Sequence, residues 1–109
     1  MKTNDILKID DIKLCSNMIE KDICELYTCD LLSWVLGHVH ESNTVLLTVL
    51  NSLNAVAVAS LLDMSAIVFC EGVMPTQDII EKANEENIVL FSSSKSSFET
   101  AYLIKQMQE

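Results

Sequence analysis

The feature that most constrains the fold is a pair of uncharged segments separated by a helix-sized stretch of small residues. Residues 44–50 and 65–70 contain no charged side chain, and residues 51–63 between them are rich in Ala and Val. Strands that are apolar on both faces are typical of parallel sheets covered by helices. This part of the chain therefore predicts a strand, a helix and a second strand in the middle of a parallel sheet.

The segments on either side extend the alternation of strands and helices. Residues 77–87 predict a helix with Ile79, Ile80 and Ala83 facing inward, residues 88–91 a third strand, and residues 97–107 a final helix. Upstream, residues 3–8 predict a short helix and residues 12–15 and 23–27 two short strands. A two-turn helix should follow Asp30 as its N-cap and end at Gly37.

Together these elements predict one domain over residues 1–109 with a layered fold. The fold class is α/β, with three layers and a mostly parallel or mixed sheet of about five strands. A chain of 109 residues with 50% apolar residues and only two glycines buries enough surface to fold without disulfide or metal crosslinks.

The charge balance excludes two classes of partner. The chain has seven Lys and Arg residues and sixteen Asp and Glu residues, so its net charge is -9. A nucleic-acid partner is not expected, because such binding needs a basic surface that releases counterions. Anionic membranes are disfavoured by the same sign of charge. No secretory signal or membrane-spanning segment is recognisable, so we expect a cytoplasmic protein.

The cysteines and histidines predict neither a cofactor nor a metal. The four cysteines lack a C-x-x-C pair, and buried thiols are favoured over an iron-sulfur or zinc site. His38 and His40 flank Val39 after a predicted helix, and a solvated helix exit is favoured over a metal site. No phosphate-binding or dinucleotide-binding glycine loop is present, so we expect no enzymatic activity. The cysteines are Cys15, Cys24, Cys29 and Cys70.

Two polar clusters at predicted strand ends are the candidate ligand site. The carboxyl ends of parallel strands share one sheet edge, where helix N-termini and backbone N–H groups favour anions. Helix capping explains part of the first cluster, Asn51 to Asn54. For the second, the serines from Ser92 to Ser97 around Lys95, a polar loop with a serine N-cap is the favoured interpretation. The candidate ligand-binding residues are Asn51, Ser52, Asn54, Ser93, Ser94 and Lys95.

Several segments carry a resemblance to a known family. They are YTCDLLSWVLG from Tyr27, NAVAVASLL from Asn54, AIVFCEGVMP from Ala66, EKANEENIVLFSS from Glu81 and SSFETAYLI from Ser96. In these segments the chain resembles small stand-alone DRTGG-domain proteins. These are similar to the N-terminal domain of HPr kinase/phosphorylase and to the DRTGG regions of phosphotransacetylases and CBS-domain pyrophosphatases.

The resemblance implies a regulatory or dimerising role without kinase activity. It also suggests an accessory role beside iron-only hydrogenase-type enzymes. The chain departs from the name-giving motif: Asn51 and Ser52 stand where Asp-Arg would fall, and Glu71 and Gly72 replace the paired glycines. An anion-binding role that needs the arginine is therefore not carried over to this chain.

Two functions from different classes follow. The first is a non-enzymatic regulatory or protein-interaction module that forms a homodimer, with Trp34, Val35, Leu53 and Val73 as candidate interface residues. The alternative is a sensor that binds a nucleotide or another phosphate compound at the strand ends.

Overall fold

The computed structural model describes all residues from Met1 to Glu109. It contains five strands, four α-helices and one short 3-10 helix. The strands are β1 (Ile12–Leu14), β2 (Glu25–Thr28), β3 (Thr44–Thr48), β4 (Ala66–Phe69) and β5 (Val89–Ser93). The α-helices are α1 (Leu32–His38), α2 (Leu53–Leu61), α3 (Gln77–Glu86) and α4 (Ser97–Gln108), and the 3-10 helix is Thr3–Lys8.

The strands form one mixed sheet in the order β1-β5-β4-β3-β2. Strands β2 to β5 are parallel, and β1 pairs antiparallel with β5. Because β2 to β5 follow one another in space as in sequence, the parallel part has no point at which the strand order reverses. The crevice that such a reversal opens for ligands in other α/β sheets is therefore missing.

The sheet is covered on both faces, which gives three layers. Helices α1, α2 and α3 pack on one face around Leu46, Ile67, Phe69 and Leu90. On the other face, Ile104 of α4 and Ile6 of the 3-10 helix pack against the alternate residues of the same strands. All residues of β3, β4 and β5 are buried, which explains their uncharged sequences.

The predicted three-layer α/β class, the mixed five-stranded sheet and the interior positions of β3 and β4 are confirmed. Three details of the prediction are wrong. The N-cap of α1 is Leu31 rather than Asp30, and Gly37 lies inside α1 rather than at its exit. Ser92 and Ser93, predicted as loop, extend β5 and are buried. None of the helices is long and apolar enough to cross a membrane.

Candidate ligand and interaction site

The carboxyl edge of the sheet consists of the ends of β2 to β5 and the loops that follow them. Its first polar group is Asn51, Ser52 and Asn54, between β3 and α2. Ser52 caps α2, because its Oγ accepts a hydrogen bond from the backbone N–H of Asn54 at 3.1 Å. Asn51 Nδ2 donates to the carbonyl of Met74 at 3.1 Å and so ties this loop to the one after β4. The exposed side chain of Asn54 has no hydrogen-bond partner in the chain.

The second polar group is Ser93, Ser94 and Lys95, at the end of β5. Ser93 is buried, and its Oγ is 2.8 Å from Thr100 Oγ1 and accepts from the Lys95 N–H at 3.2 Å. Lys95 Nζ donates to Asp11 Oδ2 at 3.0 Å, and this hydrogen bond raises the pKa of Lys95. Ser94 is exposed. The ammonium of this group therefore already has a carboxylate partner, in the turn before β1.

The loop between β4 and α3 separates the two groups. The Glu71 N–H donates to the carbonyl of Lys95 at 2.8 Å, and the Gly72 N–H donates to that of Ser93 at 2.9 Å. On its other side, the same loop accepts the hydrogen bond from Asn51. All six predicted residues thus lie at one edge of the sheet, in two groups on either side of this loop. Their role in ligand binding stays a prediction.

The turn that shapes this loop has two consecutive left-handed residues. Glu71 has a φ of 60° and Gly72 a φ of 77°. The Val73 N–H donates to the carbonyl of Cys70 at 3.1 Å, which closes a four-residue turn around them. Glycine suits both positions, yet this chain has glycine only at the second.

Sequence analysis missed the role of Asp30. Its Oδ1 accepts hydrogen bonds from Thr48 Oγ1 at 2.8 Å and from the Val49 N–H at 2.9 Å. This exposed carboxylate therefore fastens the end of β2 to the end of β3. No local pattern indicates such a contact, because its partners are eighteen or more residues away in the sequence.

The arrangement of aromatic side chains beside β2 was not predicted either, although Trp34 was named as an interface candidate. The Trp34 indole N–H donates to Tyr27 Oη at 2.9 Å, and the Trp34 ring stacks on His38 with centroids 3.7 Å apart. His38 Nδ1 lies 2.8 Å from the carbonyl of Trp34, so His38 occupies the C-terminal turn of α1. Phe98 and Tyr102 on α4 are largely exposed. They are four residues apart and therefore share one face of α4, and this spacing was the available signal.

The cysteines form no disulfide and belong to no metal-binding cluster. All four cysteines are free, and no group of three or more His, Cys, Asp or Glu side chains is arranged to hold a metal ion. Cys70 follows β4 and is buried, and this burial raises the pKa of its thiol. The carboxylates with lowered pKa values owe them to hydrogen bonds at the surface.

Two surface features are large enough for a ligand or a partner. A groove of about 760 Å³ lies between α4 and the segment Lys8 to Asp10, with Lys95, Tyr102 and Leu103 among its lining residues. Exposed apolar side chains also stand at the helix starts along the carboxyl edge. They are Leu31, Leu53, Met74 and Phe98.

Comparison with solved structures identifies the fold. The chain is similar to the crystal structure of the CBS and DRTGG domains of the regulatory region of Clostridium perfringens pyrophosphatase, complexed with its activator diadenosine tetraphosphate. The TM-score is 0.76 at 16% sequence identity, and the match covers 94% of this chain. The chain has a DRTGG-like fold. The match covers 45% of the pyrophosphatase chain, so this chain spans about half of that structure.

No protein-family model and no curated protein matches the sequence. The two places where the sequence interpretation puts departures from the DRTGG motif come together in the structure. Asn51 and Ser52 belong to one loop of the carboxyl edge, Glu71 and Gly72 to the next, and the Asn51 amide joins the two loops. The left-handed φ values at Glu71 and Gly72 are ones that glycine adopts without steric cost.

Proposed function

We propose that this chain is a non-enzymatic regulatory or protein-interaction module that acts as a homodimer. The similarity of its fold to a regulatory region of a pyrophosphatase supports a regulatory role. The observation that carries the proposal is the exposed apolar surface. Among the large side chains, Leu31, Leu53, Trp34, Met74 and Phe98 are each at least 45% exposed. Association covers such side chains and so removes their apolar area from water.

The predicted interface residues have different positions in the structure. Val35 is fully buried in the core and contributes nothing to a surface. Trp34 and Leu53 are half exposed, and Val73 is half-buried at the carboxyl edge. The interface candidates that remain are therefore Trp34, Leu53 and Val73.

Analytical ultracentrifugation of the full chain tests this proposal. At tens of micromolar, we expect twice the mass of the single chain and dissociation on dilution. A single species of monomer mass over this concentration range would contradict it.

A second candidate is a sensor of a nucleotide or another phosphate compound. The observation that favours it is the diadenosine tetraphosphate in the pyrophosphatase complex. In this chain the available donors are the exposed amide of Asn54 and the ammonium of Lys95. To reach a ligand, Lys95 would have to break its hydrogen bond to Asp11. Each neutral hydrogen bond contributes about 0.5 to 1.5 kcal/mol, so affinity would be modest.

Isothermal titration calorimetry with diadenosine tetraphosphate and ATP separates the two candidates. We expect heat of binding that Lys95→Ala and Asn54→Ala each reduce, while Lys13→Ala, an exposed lysine on β1, leaves it unchanged. Absence of heat at millimolar ligand would exclude the sensor and leave the interaction module. Binding that neither substitution changes would place the ligand elsewhere.

The resemblance to stand-alone DRTGG proteins also proposes a physiological context. That context is a cytoplasmic accessory role beside an iron-only hydrogenase-type enzyme. Binding of the purified chain to a purified enzyme of this type, measured by biolayer interferometry, tests it, and no binding at micromolar concentrations would contradict it.

A further inference from the structure

The two edges of the sheet differ in how they are protected. The β1 edge has three residues, and its middle one is the exposed Lys13. Lysines and very short strands are common ways to block pairing with another chain. The β2 edge has neither lysine nor proline, and its only charge is Glu25 at its start. No strand pairs with β2 on its outer side, so its backbone is free to accept one.

Aromatic residues are concentrated around this open edge. The chain has six of them, and two, Phe69 and Phe91, are in the core. Of the other four, Tyr27 lies on β2 itself and three flank it. On the α1 side, the indole N–H of Trp34 donates a hydrogen bond to Tyr27 Oη. Phe98 and Tyr102 lie on the α4 side, lining a groove with Leu26 and Thr28.

Exposed aromatic side chains beside an unpaired strand are the composition expected of an interface centre rather than of a solvated surface. We infer that β2 pairs antiparallel with β2 of a second copy of this chain, so that the two sheets become continuous and the aromatic residues of both copies are covered. This inference rests on the proposed homodimer and identifies the β2 edge as its interface.

The charges around the edge favour a second copy as the occupant. A two-fold axis at Leu26 or at Tyr27 places Glu25 opposite Tyr27 or Cys29 of the second copy, so the carboxylate on β2 does not face another carboxylate. At the Glu25 end, α4 contributes Lys105, which lines the same groove. Antiparallel pairing brings this ammonium to the other end of the second β2, where Asp30 lies beside Phe98. The edge is thus complementary to itself.

An isolated extended peptide fits this surface less well. It would satisfy the backbone of β2 but would bring no helix to cover Phe98, which is 79% exposed, or Tyr102. In the paired arrangement, α4 of each copy lies on the same face of the joined sheet. Each α4 then covers the aromatic side chains of the other.

Sedimentation equilibrium of the wild-type chain and five single variants tests the inference, and one of the five, Leu53→Ser, alters the carboxyl edge instead of the β2 edge. Phe98→Ser, Tyr102→Ser and Lys105→Glu alter the proposed surface. Leu61→Ser is the matched control, because Leu61 is 75% exposed at the end of α2, away from β2. Phe98→Ser and Tyr102→Ser should each raise the dimer dissociation constant about tenfold or more. Lys105→Glu should also raise the dissociation constant, and by a larger factor at low salt. Leu61→Ser should leave the dissociation constant unchanged.

Amide hydrogen exchange supplies a measurement without substitutions. Exchange of the β2 amides should slow as the protein concentration rises through the dissociation constant, while exchange of the β1 amides should not change. Equal behaviour of the two edges would overturn the inference.

The outcomes also separate this inference from the proposed function. A dimer that survives Phe98→Ser and Tyr102→Ser but dissociates with Leu53→Ser has its interface at the carboxyl edge, which overturns the inference and keeps the homodimer. A dimer that all of these variants leave intact overturns the inference in the same way. A wild-type chain that stays monomeric overturns both.

Discussion

Glu71 is the one left-handed residue of this chain whose side chain is poorly suited to that backbone. The other non-glycine residues with positive φ are Asp11, Asn43, Asp63 and Asn87. Asn and Asp tolerate the left-handed region better than other residues do. The resemblance marks Glu71 as standing in place of a glycine, but the left-handed conformation of the turn was not predictable, because it depends on hydrogen bonds to Ser93 and Lys95.

Substitutions at this turn should have opposite effects. Glu71→Gly should raise the free energy of unfolding by about 0.5 to 1 kcal/mol, because relief of strain exceeds the added entropy of the unfolded chain. Gly72→Ala should lower it by about 1 to 2 kcal/mol through backbone strain alone, because a Cβ there meets no atom within 4 Å. Urea denaturation measures both changes.

Gly37 is the matched control for this pair. It lies within α1, has the same empty surroundings and has no positive φ. Gly37→Ala should therefore raise the free energy of unfolding by about 0.5 to 1 kcal/mol. A loss of stability from Gly37→Ala, or a gain from Gly72→Ala, would contradict this account of the two glycines.

The thiols should differ strongly in reactivity. Cys24 is exposed, whereas Cys70 is fully buried and burial raises the pKa of its thiol. The thiolate is the reactive form, so iodoacetamide at pH 8 should modify Cys24 rapidly and Cys70 only after unfolding. Peptide mass spectrometry of the native and urea-treated protein reads this out. Equal modification of both cysteines in the native protein would argue against a buried Cys70.

At the scale of elements, the order of strands and helices was predictable and their ends were not. The uncharged segments of β3 and β4 indicate strands buried on both faces, and the structure agrees. The start of α1 could not be predicted, because Asp30 bonds to Thr48 and Val49 across the sheet instead of capping the helix. Tertiary contacts of this kind override the local preference for an acidic N-cap.

The cap of α2 gives a test at this scale. Ser52→Ala should lower the free energy of unfolding by about 1 kcal/mol, because the N–H of Asn54 loses its acceptor. Ser52→Asp should retain most of the stability, since a carboxylate also caps a helix N-terminus. Thermal denaturation followed by circular dichroism compares the two, and equal stability of both variants would show that the cap contributes little.

For the candidate site, the sequence predicted the sheet edge at which the polar residues lie but not the residues to which they hydrogen-bond. Lys95 was predicted as a cation for a ligand, yet it pairs with Asp11, which precedes β1. The contact forms only because β1 joins the sheet antiparallel beside β5. No spacing within the sequence indicates which edge a short strand will join.

At the scale of the whole molecule, the acidic composition should shape the dependence of stability on pH. Hydrogen bonds and ion pairs lower the pKa values of Asp5, Asp22, Asp78 and Glu86. A carboxylate with a lowered folded-state pKa adds stability above its unfolded pKa and loses it as the pH falls through the folded value. Repulsion within a chain of net charge -9 weakens as the pH approaches its isoelectric point of about 4.5.

The urea midpoint should therefore rise from pH 7 to pH 5 and fall again at pH 3. Addition of 0.5 M sodium chloride should raise it more at pH 7 than at pH 5, because salt screens the repulsion. A midpoint that increases all the way to pH 3 would mean that the surface hydrogen bonds of these carboxylates contribute nothing.

The antiparallel strand β1 also shields its neighbour from aggregation. Strand β5 combines Val, Leu and Phe without a charge, a composition that is prone to cross-β stacking when its edge is free. That edge is covered by the three residues of β1 and by their neighbours on both sides, since Cys15 and Ser16 also hydrogen-bond to Leu90 of β5. Removal of residues 1–16 should therefore cause the rest of the chain to form thioflavin-positive aggregates. The N-terminal segment would then prevent other chains from pairing with the β5 edge, and its contribution would be resistance to aggregation rather than binding.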